Sequence, residues 1–359
     1  MDKHHEQRPR LIRNVDFGQR LELFLVASVA SVIIIRAYLS ATGYPEIGGQ
    51  GLHIAHMLWG GMFMVFALFA HAAFLNRSVH RLAAILAGIG FGTFIDELGK
   101  FITSDNNYFF QPTVAIIYII FVLGYIFARV VFARRPITAP EALANALSLS
   151  ADAGGGRLSN GQKQRILALL DSVDSTEPIV AGLRDLIDRT QIQDTVYVGL
   201  YFRLRNALGG LFQYLLRHHW FRYLMVGGFV GNTLWQLFTV GDVILDLPLL
   251  TFGRATETSD LVTSIQAVSL LASVLLIVIG ISRLATSRLA AYRWFQRSVL
   301  VQVLITQVFV FYDTQMGALG GVFLNLFVYV GFGLTIAYLA HREPSGIPDV
   351  SLELVRTAD

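Results

Sequence analysis

The chain has 359 residues, of which 54% are hydrophobic and only 15% charged, whereas ordinary soluble domains carry about 25% charged residues. Its mean hydropathy of +0.55 rests on long apolar runs, so composition excludes a soluble domain and predicts an all-α polytopic membrane protein. The absence of cysteine excludes disulfides, thiolate metal sites and cysteine catalysis. The formal charge of +3 gathers at the ends of the apolar runs, as in membrane-facing loops, so membrane lipids are the expected partners and nucleic acid is not.

Residues 1–20 are polar and lack the apolar core and cleavage site of a secretory signal; they read as a retained cytoplasmic tail. A membrane span needs about 20 mostly apolar residues. Eight segments qualify, at about 21–39, 52–75, 82–103, 112–132, 222–241, 261–283, 296–314 and 320–340. Lys and Arg crowd alternate connections. They occur in the tail (Lys3, Arg8, Arg10, Arg13, Arg20), between spans two and three (Arg77, Arg81) and after span four (Arg129, Arg134, Arg135). They return between spans six and seven (Arg283, Arg288, Arg293, Arg297) and after span eight (Arg342). The positive-inside rule then predicts a cell-membrane protein with both termini cytoplasmic, the last tail running from 343 to 359. Arg36, near the outer end of the first span, departs from the pattern and is expected to snorkel to the interface.

The connection 136–220 opens with Pro136 and Pro140, as a linker does. EALANALSLS reads as a short helix broken by AGGGR. LSNGQKQRILALLDSVD is amphipathic with a cap at Asn160 or Ser159. STEPIVAGLRDLIDRTQ has a Ser/Thr cap, Glu177, and Pro178 in its first turn. These predict a small cytoplasmic helical insert able to hold a protein partner. Beyond it, Leu204, Leu208, Leu211 and Leu215 form an apolar stripe interrupted by Arg203, Arg205, Asn206 and Arg217, which predicts an interfacial amphipathic helix. The rival is a ninth span, which would put the C-terminus outside.

Four spans precede the insert (21–135) and four follow it (221–342). Arg81 and Arg293 open corresponding third spans, Asp96 and Asp313 lie late in them, and Tyr118 and Tyr329 occupy corresponding fourth spans. This admits a parallel 4+4 duplication. Chance alignment of apolar helices explains it equally well.

Ionisable side chains inside spans cost about 2.5–3.5 kcal/mol on insertion scales, so those that occur mark sites. His53 and His56 open the second span, and a spacing of three puts both imidazoles on one helical face. Asp96 and Glu97 end the third span, which runs the opposite way. All four therefore share one depth near the outer leaflet, with Thr93, Lys100, Asp105 and Asn107 close by in sequence. Three readings stay open. In the first, His53, His56 and Glu97 bind a divalent metal such as zinc, with Asp96 or Asp105 orienting a ligand or acting as general base toward bound water. In the second, Asp96 and Glu97 are catalytic in a metal-free polar pocket or proton relay. In the third the groups are structural, with Asp96 paired to Lys100 at i,i+4 and Thr93 bonded to Glu97.

Stronger signatures are missing. There is no H-E-x-x-H helix, no Glu-x-x-His pair of the di-iron bundles, no complete EF-hand loop and no G-x-S-x-G. His56 and His71 lack opposing histidines for haem. Gly88, Gly90 and Gly92 lie within an apolar span, so they read as helix-packing residues. In the second half, Gln302, Thr306 and Asp313 share a face of span seven, and Asn232 and Gln236 a face of span five. Interhelical hydrogen bonding is the default for both, and a polar pathway the alternative.

The first half, with its DELGKF block after a histidine-bearing span, resembles a class of bacterial multi-span membrane proteins carrying DE-x-GKF. Over about residues 50–110 it is also similar to the VanZ-like membrane family, in which a histidine in one span faces a glutamate in the next. That resemblance implies His56 and Glu97 as the functional pair. The chain departs from it in lacking an Asp-Lys pair before the histidine and a glutamine at the usual distance after Glu97. Neither likeness implies a particular reaction.

Three functions compete. The first is a His/carboxylate site near the outer leaflet acting on a lipid-linked or amphiphilic molecule, with or without a metal. The second is a transporter or channel whose polar path draws in Gln302 or Asp313. The third is a sensor or assembly factor that binds its partner through the insert.

Overall fold

A computed structural model of the chain describes residues 11–43, 55–105, 107–108, 110–132, 136–154, 158–174, 177–191, 218–239 and 258–340, with isolated positions between 203 and 215. The described elements are all helical. In chain order they are α1 (Phe17–Thr42), α2 (His56–Ala73), α3 (Arg77–Asp96), α4 (Leu98–Ile102), α5 (Thr113–Phe132), α6 (Ala139–Gly154), α7 (Asn160–Leu170) and α8 (Pro178–Arg189). After these come α9 (His219–Thr239), α10 (Thr258–Arg283), α11 (Arg288–Val301), a π-helical turn (Gln302–Thr306), α12 (Gln307–Thr314), a 3-10 turn (Gln315–Ala318) and α13 (Leu319–Ala340). Five helical stretches among the described residues are long and apolar enough to cross a membrane: Phe17–Thr42, His56–Ala73, Arg77–Asp96, Val262–Arg283 and Arg288–Ala340. The helix expected over 195–220, including Leu204, Leu208, Arg205, Asn206 and Arg217, falls mostly outside the described residues.

The chain divides into two compact units. In the first, α3 packs against both α1 and α2, and glycines set how closely. Gly88 and Gly92 face α1, where a Cβ would collide with the carbonyl oxygens of Phe24 and Ser28. Gly90 faces α2, where a Cβ would stand 2.6 Å from the carbonyl oxygen of Gly60. In hydrocarbon, where apolar burial does not drive association, this backbone-to-backbone approach supplies the packing. The parallel pair α1 and α3 is also tied by ions at both ends. At one, Asp16 is clasped by Arg77; at the other, Arg36 holds Asp96 at 2.6 Å.

The insert belongs to the same unit. Leu149, Leu158, Ile166, Leu170, Val180 and Ile187 form its core. Ser159 caps α7 in a reciprocal box with Gln162, which satisfies two otherwise orphaned backbone donors. Glu177 holds the cap position of α8 without a side-chain bond, and Pro178 begins the helix; Ser175 and Thr176 lie outside the described residues. The insert grips the segment leading into α1. Arg13 pairs with Glu141 at 2.7 Å, Asn145 accepts the Val15 N–H at 3.0 Å and donates to the Arg13 carbonyl at 2.7 Å, and Arg165 reaches Asp16 at 3.1 Å.

In the second unit, Arg288–Ala340 is helical over 53 residues, about 80 Å of helix at 1.5 Å per residue. It is not one rod. Gln315 takes φ +46°, and the chain folds back so that α13 lies against α11. Gly321 faces Gln307 and Gly333 faces Gln296, an antiparallel register. Phe229, Phe295 and Phe332 fill the core, their rings 5.8–5.9 Å apart where Phe332 meets the other two.

Candidate functional site

Helix α3 ends at Asp96. Glu97 leaves helical geometry with φ −84°, ψ 6°, and the short α4 follows. The break lets two consecutive carboxylates, which a continuous helix would splay about 100° apart, both turn inward; each side chain is 0% exposed.

Asp96 is held on both oxygens. Arg36 Nε donates to Oδ1 at 2.6 Å, and the Tyr108 hydroxyl donates to Oδ2 at 2.6 Å. Glu97 is held likewise: Lys100 Nζ donates to Oε1 at 2.8 Å, and the Met57 backbone N–H donates to Oε2 at 2.9 Å. The last bond explains how α2 begins. Its cap position is Ala55, with no side chain to bond the exposed N–H groups, and Glu97 performs that task from the neighbouring helix. A carboxylate there also meets the positive end of the α2 dipole.

His56, the first residue of α2, stands between the two acids. Its Nε2 lies 3.2 Å from Asp96 Oδ2 and its Nδ1 3.5 Å from Glu97 Oε1. The first approach is short but off the ring's donor axis, so Nε2 makes no hydrogen bond. The imidazole is 22% exposed and meets the Tyr108 ring edge-on, centroids 6.4 Å apart. Tyr108 is the hub of the cluster, with Arg36 and Lys100 also against its ring at 5.2 and 5.5 Å. Two carboxyl groups thus face a guanidinium and a lysine amine, and the imidazole is the additional member.

Several expectations change here. Lys100 pairs with Glu97, not Asp96, because the helix breaks between them. Thr93 does not bond Glu97; its hydroxyl donates to the Ile89 carbonyl at 2.7 Å and lies 3.0 Å from the Ser31 hydroxyl. Arg36 does not snorkel away but is the counter-ion of Asp96. Arg36 and Tyr108 are the members sequence reading leaves out of the site; the signal for Arg36 is that it is a charged residue within the first apolar run. Asp105 is exposed and makes no hydrogen bond or ion pair with the described residues, and Asn107 is exposed, its N–H donating to the Thr103 hydroxyl at 2.7 Å.

His53 lies outside the described residues. Among the described residues, no group of three or more His, Asp or Glu converges as metal ligands. All four oxygens of Asp96 and Glu97 already accept hydrogen bonds, two of them from cations. A divalent metal at His56 and Glu97 would have to displace Lys100 or sit beside it, so this donor set does not fit one as it stands.

Gln302, Thr306 and Asp313 belong to the second unit. Gln302 is 0% exposed and donates to the hydroxyls of Thr233 at 2.7 Å and Ser273 at 2.9 Å. The proton accounting closes: Thr233 donates to the Phe229 carbonyl, Ser298 to the Ser273 carbonyl and Ser273 to the Ser298 hydroxyl. Ser269 donates to Gln266 and receives from Thr306. Among the described residues of this unit, the buried side-chain atoms without a partner are Gln302 Oε1, the side-chain amide of Asn325, Asn232 Nδ2 and Thr113 Oγ1. Tyr118 donates to the Val303 carbonyl at 2.6 Å, satisfying a backbone group of the π turn. Asp313 is exposed and has no partner among the described residues.

Comparison with protein-family models, with curated proteins and with solved structures finds no match for this chain.

Proposed function

We propose that this chain is an eight-span protein of the cell membrane with both termini cytoplasmic, and that the cluster around His56 is a proton-transfer site near the outer leaflet. Its substrate class is a lipid-linked or amphiphilic molecule, since a site at headgroup depth meets such molecules first. One observation carries this reading: a partly exposed imidazole stands between two buried carboxylates already balanced by Arg36 and Lys100. Histidine exchanges protons near neutral pH. Here His56 takes a proton from a hydroxyl or water at the site and returns it to the departing group. Asp96 and Glu97 steady the imidazolium in between, and Arg36 and Lys100 hold the two acids in place. Tyr108 fixes Asp96 and walls one side of the ring. The resemblance to the VanZ-like family, with His56 facing Glu97, points the same way.

The test is lipid analysis of envelopes from cells expressing the wild type or His56→Gln. A lipid species should appear or vanish with the wild type and stay unchanged with the variant. Identical profiles would end the proposal. Stoichiometric zinc in the purified protein, lost in both His56→Ala and Glu97→Ala, would replace proton transfer with metal-assisted chemistry at the same residues.

A further inference from the structure

At the opposite end of α1 and α3 from His56, positive charge is in excess. Asp16, 5% exposed, is approached by three guanidinium groups: Arg77, which clasps it through two nitrogens, Arg165 at 3.1 Å and Arg20 at 3.7 Å. One carboxylate balances one of the three. The side chains are only 15%, 30% and 20% exposed, so water screens their mutual repulsion incompletely. The Arg20 guanidinium makes no hydrogen bond among the described residues, and Asp16 is the carboxylate it approaches. Arg13 does not add to the excess, being paired with Glu141.

The segments that carry this cluster also carry exposed apolar residues. Leu11 and Ile12, just before the segment that enters α1, are 94% and 59% exposed, and Phe74 and Leu75, just before Arg77, are 52% and 83% exposed. Three guanidinium groups around one carboxylate, with Arg165 also donating to the Val15 carbonyl at 3.3 Å, and exposed apolar residues close by in sequence, at the end of helices long enough to span a bilayer, match the boundary between headgroup and acyl chain. Guanidinium forks fit phosphate oxygens in pairs, and basic pockets between helices on the cytoplasmic side take anionic headgroups.

We propose that Arg20, Arg77 and Arg165 bind the phosphate of an anionic phospholipid. Because Arg165 comes from α7 of the insert and the other two from α1 and α3, the lipid joins the insert to the membrane helices. The site is independent of the chemistry assigned to His56.

The test uses the full chain in nanodiscs of phosphatidylcholine, with or without phosphatidylglycerol, reading the thermal midpoint and the lipid retained on purification. Phosphatidylglycerol should raise the midpoint and be enriched around the protein. Arg20→Gln and Arg165→Gln should each weaken its apparent affinity about fivefold, as expected for one arginine near a charged surface. Arg77→Gln also strands Asp16 and can lower folding by itself, so Arg20→Gln, which breaks no hydrogen bond, is the decisive variant. Asp16→Asn should keep or strengthen the lipid dependence. An equal midpoint in both lipids would overturn the proposal, as would full lipid dependence in the Arg20→Gln/Arg165→Gln double variant. A shift from inorganic phosphate in phosphatidylcholine nanodiscs, matching that from phosphatidylglycerol, would overturn the lipid assignment.

Discussion

The buried acids Asp96 and Glu97 of the first unit sit among charged partners, whereas the buried Gln302 of the second sits among neutral ones. Asp96 and Glu97 are surrounded by Arg36, Lys100, His56 and Tyr108; Gln302 is surrounded by the hydroxyls of Thr233 and Ser273, with Ser298 bonded beyond them. The neutral set hands each hydroxyl proton to a neighbour, which suits a permanent contact between helices. The charged set leaves an imidazole half-sheltered with one nitrogen unbonded, which suits a group that must change its protonation. Charge in a membrane is expensive and points to function, while amides and hydroxyls there mostly hold helices together.

The sharpest way to break this contrast is to remove one member of each set. Asp96→Ala strands Arg36 and should cost about 3–5 kcal/mol, the range for breaking one side of a buried pair, read as a large drop in unfolding midpoint in detergent. The double variant Arg36→Met/Asp96→Leu should recover most of that loss, because apolar replacement of a whole buried pair is often neutral; a double variant as unstable as the single one would contradict the pairing. Gly92→Leu comes next, at about 1–3 kcal/mol, since overpacking would push α1 from α3; an unchanged midpoint would mean the two helices are not in backbone contact. Gln302→Leu should cost only about 0.6 kcal/mol, the average for interhelical hydrogen bonds in membranes, and a loss as great as that of Asp96→Ala would erase the distinction.

The smallest expected effect is on pH dependence, and it lies where the insert meets the segment before α1. Burial raises the pKa of Asp16, but Arg77, Arg165 and Arg20 more than offset this and leave it below the usual carboxylate range. Arg13, with backbone bonds from Thr138 and Arg13, holds Glu141 far below its usual value. Both pKa values are lower in the folded state than in the unfolded one. Their stabilisation is therefore complete above about pH 4–5, where unfolded carboxylates are ionised, and fades as pH falls through the folded values. Hydrogen-exchange protection along α6 and the segment before α1, taken relative to the intrinsic exchange rate at each pH, should fall only in that acidic window. Loss of protection on raising the pH from neutral would contradict the sign.

Much of this was legible in the residues themselves. A long apolar run needs only its composition to be recognised, which is why helices are expected where α1, α2 and α3 stand, although α3 runs Arg77–Asp96 and not 82–103, and His56, Asp96 and Glu97 stand out because charge is rare there. Arg36 was hidden because an arginine near a span end has a ready default and because its partner is 60 residues away. Tyr108 was hidden because tyrosine is common at membrane interfaces. The exchange of Lys100 from Asp96 to Glu97 depends on a helix break that no proline announces. The partners of Gln302 lie 69 and 29 residues off, beyond the reach of helical spacing.

The paired ions at the two ends of α1 and α3 have one more consequence. Asp16 and Arg36 are about 30 Å apart along α1, and Arg77 and Asp96 about 28 Å apart along α3, close to the hydrocarbon thickness of a bilayer, about 30 Å. A slide of one helix past the other by a turn, about 5.4 Å, would break both pairs together. The two helices therefore act as a gauge of fixed length. A membrane of another thickness must pucker around them or tilt them as a single body, and either response reaches His56 without altering the distance between the gauge's ends.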